Sequence, residues 1–186
     1  MLGSANSVKP TGASFCQPGQ NAVMSCPCNN PANAGGGCGN YGPSTPGQSA
    51  VLTALGNASI TDGMDTLQFQ VVGENDRSLT VLLQASAANN GAAYGAGVSC
   101  LAGPPLKLYH GHAGSGEPPG QITRPLVGIQ PSVHARSAAL GDAIAAGQTR
   151  YYMAGYRDVR AMIPSNCNDS NKTFNSSQGV SVVWMP

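Results

Sequence analysis

Short segments of alternating polarity set the tightest limit on how this chain can fold. In "DTLQFQVVG", residues 65–73, Leu67, Phe69 and Val71 alternate with Gln68 and Gln70, the period of a strand that buries one face. "SLTVLLQAS", from residue 78, repeats the pattern, with Val81, Leu83 and Ala85 opposite Thr80 and Gln84. Further segments of this kind begin at residues 49, 95, 106, 122 and 132, and the closing "GVSVVWMP" sets Val180, Val182 and Trp184 on one face. Gly, Pro, Asn and Asp punctuate them at "TDGMD", "GENDR", "AANNG" and "SGEPPG", which marks turns between strands. The pattern predicts an all-β chain, an antiparallel β-sandwich of jelly-roll or Ig-like type. One stretch, "SAALGDAIAAG" at 137–147, competes as a helix, but Gly141 in its middle reduces it to a loop with at most a short helical turn.

A length of 186 residues suits one domain. We divide it into a cysteine-rich, loop-rich segment, residues 1–48, packed on or extending from a sandwich formed by 49–186. Charged residues make up 9% of the chain, far below the roughly 25% of an average soluble domain. With a net charge of +1 and scattered Lys and Arg, the chain has no basic footprint for a nucleic acid or an acidic membrane. No run of about eighteen apolar residues is present, and "MLGSANSVKPTGASFC" has no apolar signal-like core. Membrane insertion is not expected, and the N-terminal segment is expected to pack on this chain or on another copy of it.

Six cysteines, Cys16, Cys26, Cys28, Cys38, Cys100 and Cys167, are an even set, four of them crowded into a Gly/Asn/Pro-rich segment with few apolar residues. Disulfides, and hence an extracellular or cell-surface setting, are the favoured reading. Zinc is the alternative, but C-x9-C-x-C-x9-C lacks the two-to-four-residue spacing of paired ligands. The expected pairing joins Cys100 to Cys167 and the first four cysteines among themselves.

Motifs that would carry chemistry are weak. "GCGNYG" from Gly37 has the form of a dinucleotide fingerprint without the flanking strand and helix. His110 and His112 share one strand face, but a metal site needs a third ligand and only His134 remains. Asp62 and Asp65 are two carboxylates where calcium takes six to eight oxygens, and turn formation explains them equally well. No G-x-S-x-G or H-E-x-x-H occurs, and no carboxylate pair can be placed face to face. No enzyme, cofactor or metal site is expected.

Four N-x-S/T sequons, at Asn57, Asn168, Asn171 and Asn175, are candidate glycosylation sites. Three of them fall in "NDSNKTFNSS", read as an exposed loop. "QTRYYMAGYRD", residues 148–158, gathers three tyrosines, two arginines and an aspartate. One reading is a central strand with buried rings whose hydroxyls find polar partners, followed by Arg157 and Asp158 anchoring the next loop. The other is a glycan platform made of Tyr151, Tyr152, Tyr156, Arg157 and Asp158.

Together with "SFC" at 14–16, "AVLTALGNASITDGMDTLQF", "GAGVSCLAGPPLKL" and "FNSSQGVSVVW", this stretch resembles a C-terminal module of large secreted proteins of planctomycetes and myxobacteria. The likeness covers most of residues 15–184, with Cys16 and Cys100 in register. It implies a secreted β-sandwich of uncharacterised function with a surface-attachment or structural role, and it supplies no catalytic residues. The chain differs in carrying the insertion "CPCNNPANAGGGC", and it is expected to act without an upstream partner domain. The resulting expectation is a non-catalytic extracellular subunit that self-associates into a homo-oligomer or filament, by an edge strand or its N-terminal segment extending a neighbour's sheet. The alternative is a carbohydrate-binding module that takes extracellular glycans on the 148–158 strand.

Overall fold

The computed structural model describes residues 11–158 and 173–186. The expected packing of residues 1–10, and Cys167, Asn168 and Asn171, lie outside the described residues. The described residues form ten strands and one short helix: β1 (Ala13–Phe15), β2 (Val51–Leu55), β3 (Gln68–Val72), β4 (Leu79–Ala85), β5 (Ala88–Tyr94), β6 (Gly97–Leu101), β7 (Leu106–His112), β8 (Gln121–Arg124), α1 (Val133–Ala139), β9 (Thr149–Arg157) and β10 (Phe174–Val183). A five-stranded antiparallel sheet, β1-β10-β9-β4-β7, faces a three-stranded one, β2-β3-β8, and β5-β6 form a separate hairpin. The chain is an all-β sandwich, as the alternation predicts.

The main core lies between the two sheets. Leu52, Phe69, Val71 and Ile122 of the small sheet meet Leu82, Tyr152, Tyr156, Val180, Val182 and the adjoining Trp184, all removed from water by the hydrophobic effect. A second cluster covers the outer face of the large sheet: Leu83, Ala85 and Met153 pack with Leu101 of β6, beside Tyr94 and Phe15. The hairpin therefore forms a third layer. This corrects the expectation for β4, where Val81, Leu83 and Ala85 face the hairpin layer, while Thr80 and Gln84, on the alternate face with Leu82, are also buried. A central strand sandwiched between layers buries both faces.

Two segments depart from their expected structure. "SVHARS", read as a strand, is most of α1: the Ser132 hydroxyl accepts from Ala135 N at 3.3 Å and Asp65 Oδ2 accepts from His134 N at 2.8 Å, which satisfies first-turn donors. The helix stops where Gly141 adopts φ +90°, as a glycine past a helix C-terminus does. "AANNG", read as a turn, lies at the start of β5. Gly91 takes φ +101° within an irregularity of the β5–β6 register, and the reversal falls instead at Gly95–Ala96.

The cysteines follow the expected pairing in part: Cys26–Cys38 is a pair within the first four, but Cys100 takes Cys16 and not Cys167. Cys28 is disulfide-bonded as well. Cys100 sits on β6, whose Val98 and Cys100 form a small core with Cys16 and Cys38. The hairpin layer brings Cys100 to the head, and this long-range proximity has no counterpart in sequence spacing. The two bridges are those of a chain that folds in an oxidising environment. No helix among the described residues is long and apolar enough to cross a membrane.

Candidate functional site

Strand β9 runs into Asp158, and the polar residues of the 148–158 stretch converge there. Tyr152 and Tyr156 point into the core with 0% and 1% exposure. Tyr152 stacks on Phe69 with ring centroids 4.4 Å apart, and its oxygen accepts from Trp184 Nε1 at 3.1 Å. The Tyr156 hydroxyl donates to Asn40 Oδ1 in the head. Burial pushes both phenols above the ordinary tyrosine range, with the Asp158 and Glu74 carboxylates adding to the effect at Tyr156. On the outer face, Tyr151 is half-buried against Phe15. Gly155 lies close under the overlying hairpin, and a Cβ there would come within 2.6 Å of the Tyr94 hydroxyl, so a larger residue requires that ring to shift. Two rings of the expected platform thus have no surface on which a sugar could stack, and that reading of Tyr152 and Tyr156 is corrected.

Asp158 is 2% exposed and fastens three parts of the chain. Its Oδ1 accepts from Gly42 N at 2.7 Å and Asn75 Nδ2 at 2.8 Å, and its Oδ2 accepts from Tyr41 N at 2.9 Å and Asn175 Nδ2 at 3.3 Å. A carboxylate given several N–H donors is stable in a buried place. "GCGNYG" is therefore the strap that wraps this carboxylate. Arg157 is exposed and donates to Thr173 Oγ1. Asn75 closes the network by accepting from the hydroxyls of Ser44 and Thr45, each at 3.2 Å.

Below the node, β10 carries a bulge between Ser176 and Gly179, and its side chains act as substitute backbone. Gln178 Oε1 accepts from Leu52 N at 2.9 Å while Nε2 donates to Leu52 O at 2.7 Å, pairing β10 to the small sheet. Ser176 Oγ accepts from Val98 N at 3.1 Å and donates to Val98 O at 2.9 Å, pairing it to the hairpin. Asn175 is fully buried, and its amide is committed to Cys38 O, Gly39 O and Asp158. It belongs to a strand rather than an exposed loop and offers no acceptor for a glycan, which corrects that sequon. Asn57 is exposed in the turn after β2.

Glu74 lies beside the node, fully buried. Ser78 and Thr80 hydroxyls donate to its Oε2, while Oε1 has no partner. Desolvation pushes this carboxyl up to about 7. The remaining chemistry-bearing residues stand apart: His110 and His112 are exposed on β7, Asp62 lies in an open turn, and Asp65 is occupied in capping. No cluster of three or more potential metal ligands occurs among the described residues.

On the head surface above the node, a cleft of about 350 Å³ opens between residues 29–33 and 39–47. Tyr41 forms part of its wall. Sequence reasoning passed over Asn40, Asn75, Ser176 and Gln178 because isolated Asn, Ser and Gln read as loop residues. The only signal was the place of Asn40, Ser176 and Gln178 inside the quoted "GCGNYG" and "FNSSQG" strings, and of Asn75 in the turn "GENDR". No family model, curated protein or solved structure matches the chain.

Proposed function

We propose that the chain is a non-catalytic extracellular structural or adhesion-type subunit that self-associates at a cell surface, of the kind its likeness to planctomycete and myxobacterial modules implies. The observation that carries this reading is the use made of the polar motif residues. Tyr152, Tyr156, Asp158, Asn175 and Gln178 are all buried and bonded to the chain itself, so the densest cluster of reactive groups serves as a fastening.

Association by strand addition at β2, β7 or β8 is disfavoured, because the free sides of these outer strands already have partners. On β2, Ala50 O accepts from Gly37 N, Leu52 is paired by Gln178 and Ala54 O accepts from Thr11 N. On β7, Leu108 O and His110 O accept from Arg136 Nε and Arg124 Nε. On β8, Gln121 O accepts from Gly114 N and Thr123 N donates to Glu117 Oε1. Covered edges of this kind resist sheet extension.

The contact we assign to a second copy is the end where β2, β8 and β10 finish. It exposes Met64, Met185, Val127 and Ile129, the last two at 76% and 80%, and apolar residues placed together at one end mark an interaction surface. Light scattering of the purified protein across a concentration series tests this. Particle mass rising with concentration, and falling to one chain in the Val127→Asp/Ile129→Asp variant, supports the proposal. A single-chain mass at every concentration removes it.

A further inference from the structure

We propose that the head cleft is a binding site for a neutral saccharide, stacked on the ring of Tyr41. Its volume, about 350 Å³, falls in the usual range for small-molecule sites. None of its lining residues is Asp, Glu, Lys, Arg or His, so the cleft offers no counter-charge for an acidic or basic ligand. What it offers is one aromatic ring, two proline rings and a row of amides. A sugar matches that set: its C–H face packs on an aromatic face, and its hydroxyls exchange hydrogen bonds with the side chains of Asn29 and Asn33, which both donate and accept, whereas Asn30 and Asn40 are committed within the chain. A proline-rich peptide is the other class that docks on Tyr and Pro, but such grooves are lined by aromatic ridges, and this cleft has a single ring.

The site is rigid before any ligand arrives. Tyr41 is held by its backbone N at Asp158, by its hydroxyl donating to Cys28 O, and by packing against Cys28 and Ala96. Asn33 is fixed by Nδ2 donating to Gly47 O at 3.1 Å, and the Cys26–Cys38 bridge ties the segments flanking the cleft. Little ordering is left to be done on binding, which favours affinity. Asn30, 7% exposed, stiffens the cleft wall. Its Nδ2 donates to Gly39 O at 2.8 Å and Ala96 O at 3.0 Å, whereas its Oδ1 has no partner. That oxygen is closed off from solvent within the wall, so Asn30 serves the cleft by holding its shape and not as a contact for the sugar.

This proposal goes beyond the structural role and does not depend on self-association. The test is an amide-resolved NMR titration of the whole protein, and of the Val127→Asp/Ile129→Asp variant, with cellotetraose, chitotetraose, tetragalacturonate and a proline-rich peptide. We expect a neutral tetrasaccharide to shift residues 29–33 and 39–47 saturably in both proteins. Tyr41→Phe keeps the ring and binding, whereas Asn29→Ala and Pro46→Ala, both at exposed positions, weaken it about fivefold or more. Shifts produced only by the acidic sugar or the peptide, shifts elsewhere on the surface, or none at all would overturn the assignment. So would affinity unchanged in both exposed-residue variants.

Discussion

Glu74 is the residue whose environment is least suited to its charge. Two hydroxyls serve one carboxyl oxygen and nothing serves the other, in a site without water contact. Its proton affinity is raised from 4.5 to about 7, so between those values the folded chain binds more protons than the unfolded one. Stability from this group is therefore full below about pH 4.5 and declines as pH rises to about 7. The whole effect is roughly 3 kcal/mol. Urea denaturation at pH 5 and pH 8 should show that decline in the wild type and its near absence in Glu74→Gln. An unchanged pH profile in the variant would refute the account of this residue. Asp142 behaves oppositely: hydrogen bonds from Arg150, at 2.7 and 2.8 Å, hold its carboxyl below the usual range. Its contribution is present above the unfolded value near 4 and is lost as pH falls through the folded one.

At the scale of elements, the β10 bulge and the Cys16–Cys100 and Cys26–Cys38 bridges help decide how the layers hold together. Gln178→Leu keeps much of the bulk but leaves Leu52 N and O without partners, and should lower stability by about 2–4 kcal/mol, measured by the urea midpoint. Cys16–Cys100 spans 84 residues of sequence and Cys26–Cys38 spans 12. Loop-closure entropy then predicts about 4.5 and about 3 kcal/mol respectively. The Cys16→Ser/Cys100→Ser variant should therefore be the less stable of the two bridge variants, and the reverse order would contradict a chain-entropy origin.

These elements also explain what the sequence made legible. Strands β2, β3, β7 and the end of β10 announce themselves because one face is apolar and alternation survives, and β9 by its density of aromatic residues although both its faces are buried. Strand β4 is visible as a strand but hides which face meets the main core, since Thr80 and Gln84 find buried partners or burial of their own. Strand β5 looks like a turn because its side chains are largely exposed and it carries Asn-Asn-Gly. Helix α1 is too short for its period to be told from a strand's, and its caps come partly from Asp65, far away in sequence. Cys16 and Cys100 were aligned with the quoted motifs, yet their pairing follows from the hairpin folding over the large sheet, which no local spacing encodes.

The whole molecule is a three-layer body with two different ends. One end is capped by the cysteine-rich head, tied down through Asp158. The other presents Met64, Val127, Ile129 and Met185 to solvent. The binding proposed for the capped end requires the head to be held rigidly, and Asp158 is a central tie among those that hold it. Hydrogen exchange of Asp158→Ala against the wild type probes this directly. Loss of amide protection at Tyr41, Gly42 and neighbouring head residues, with protection retained in β3 and β4, is the predicted result. Unchanged protection in the head of a folded variant would contradict the claim that this carboxylate is its fastening.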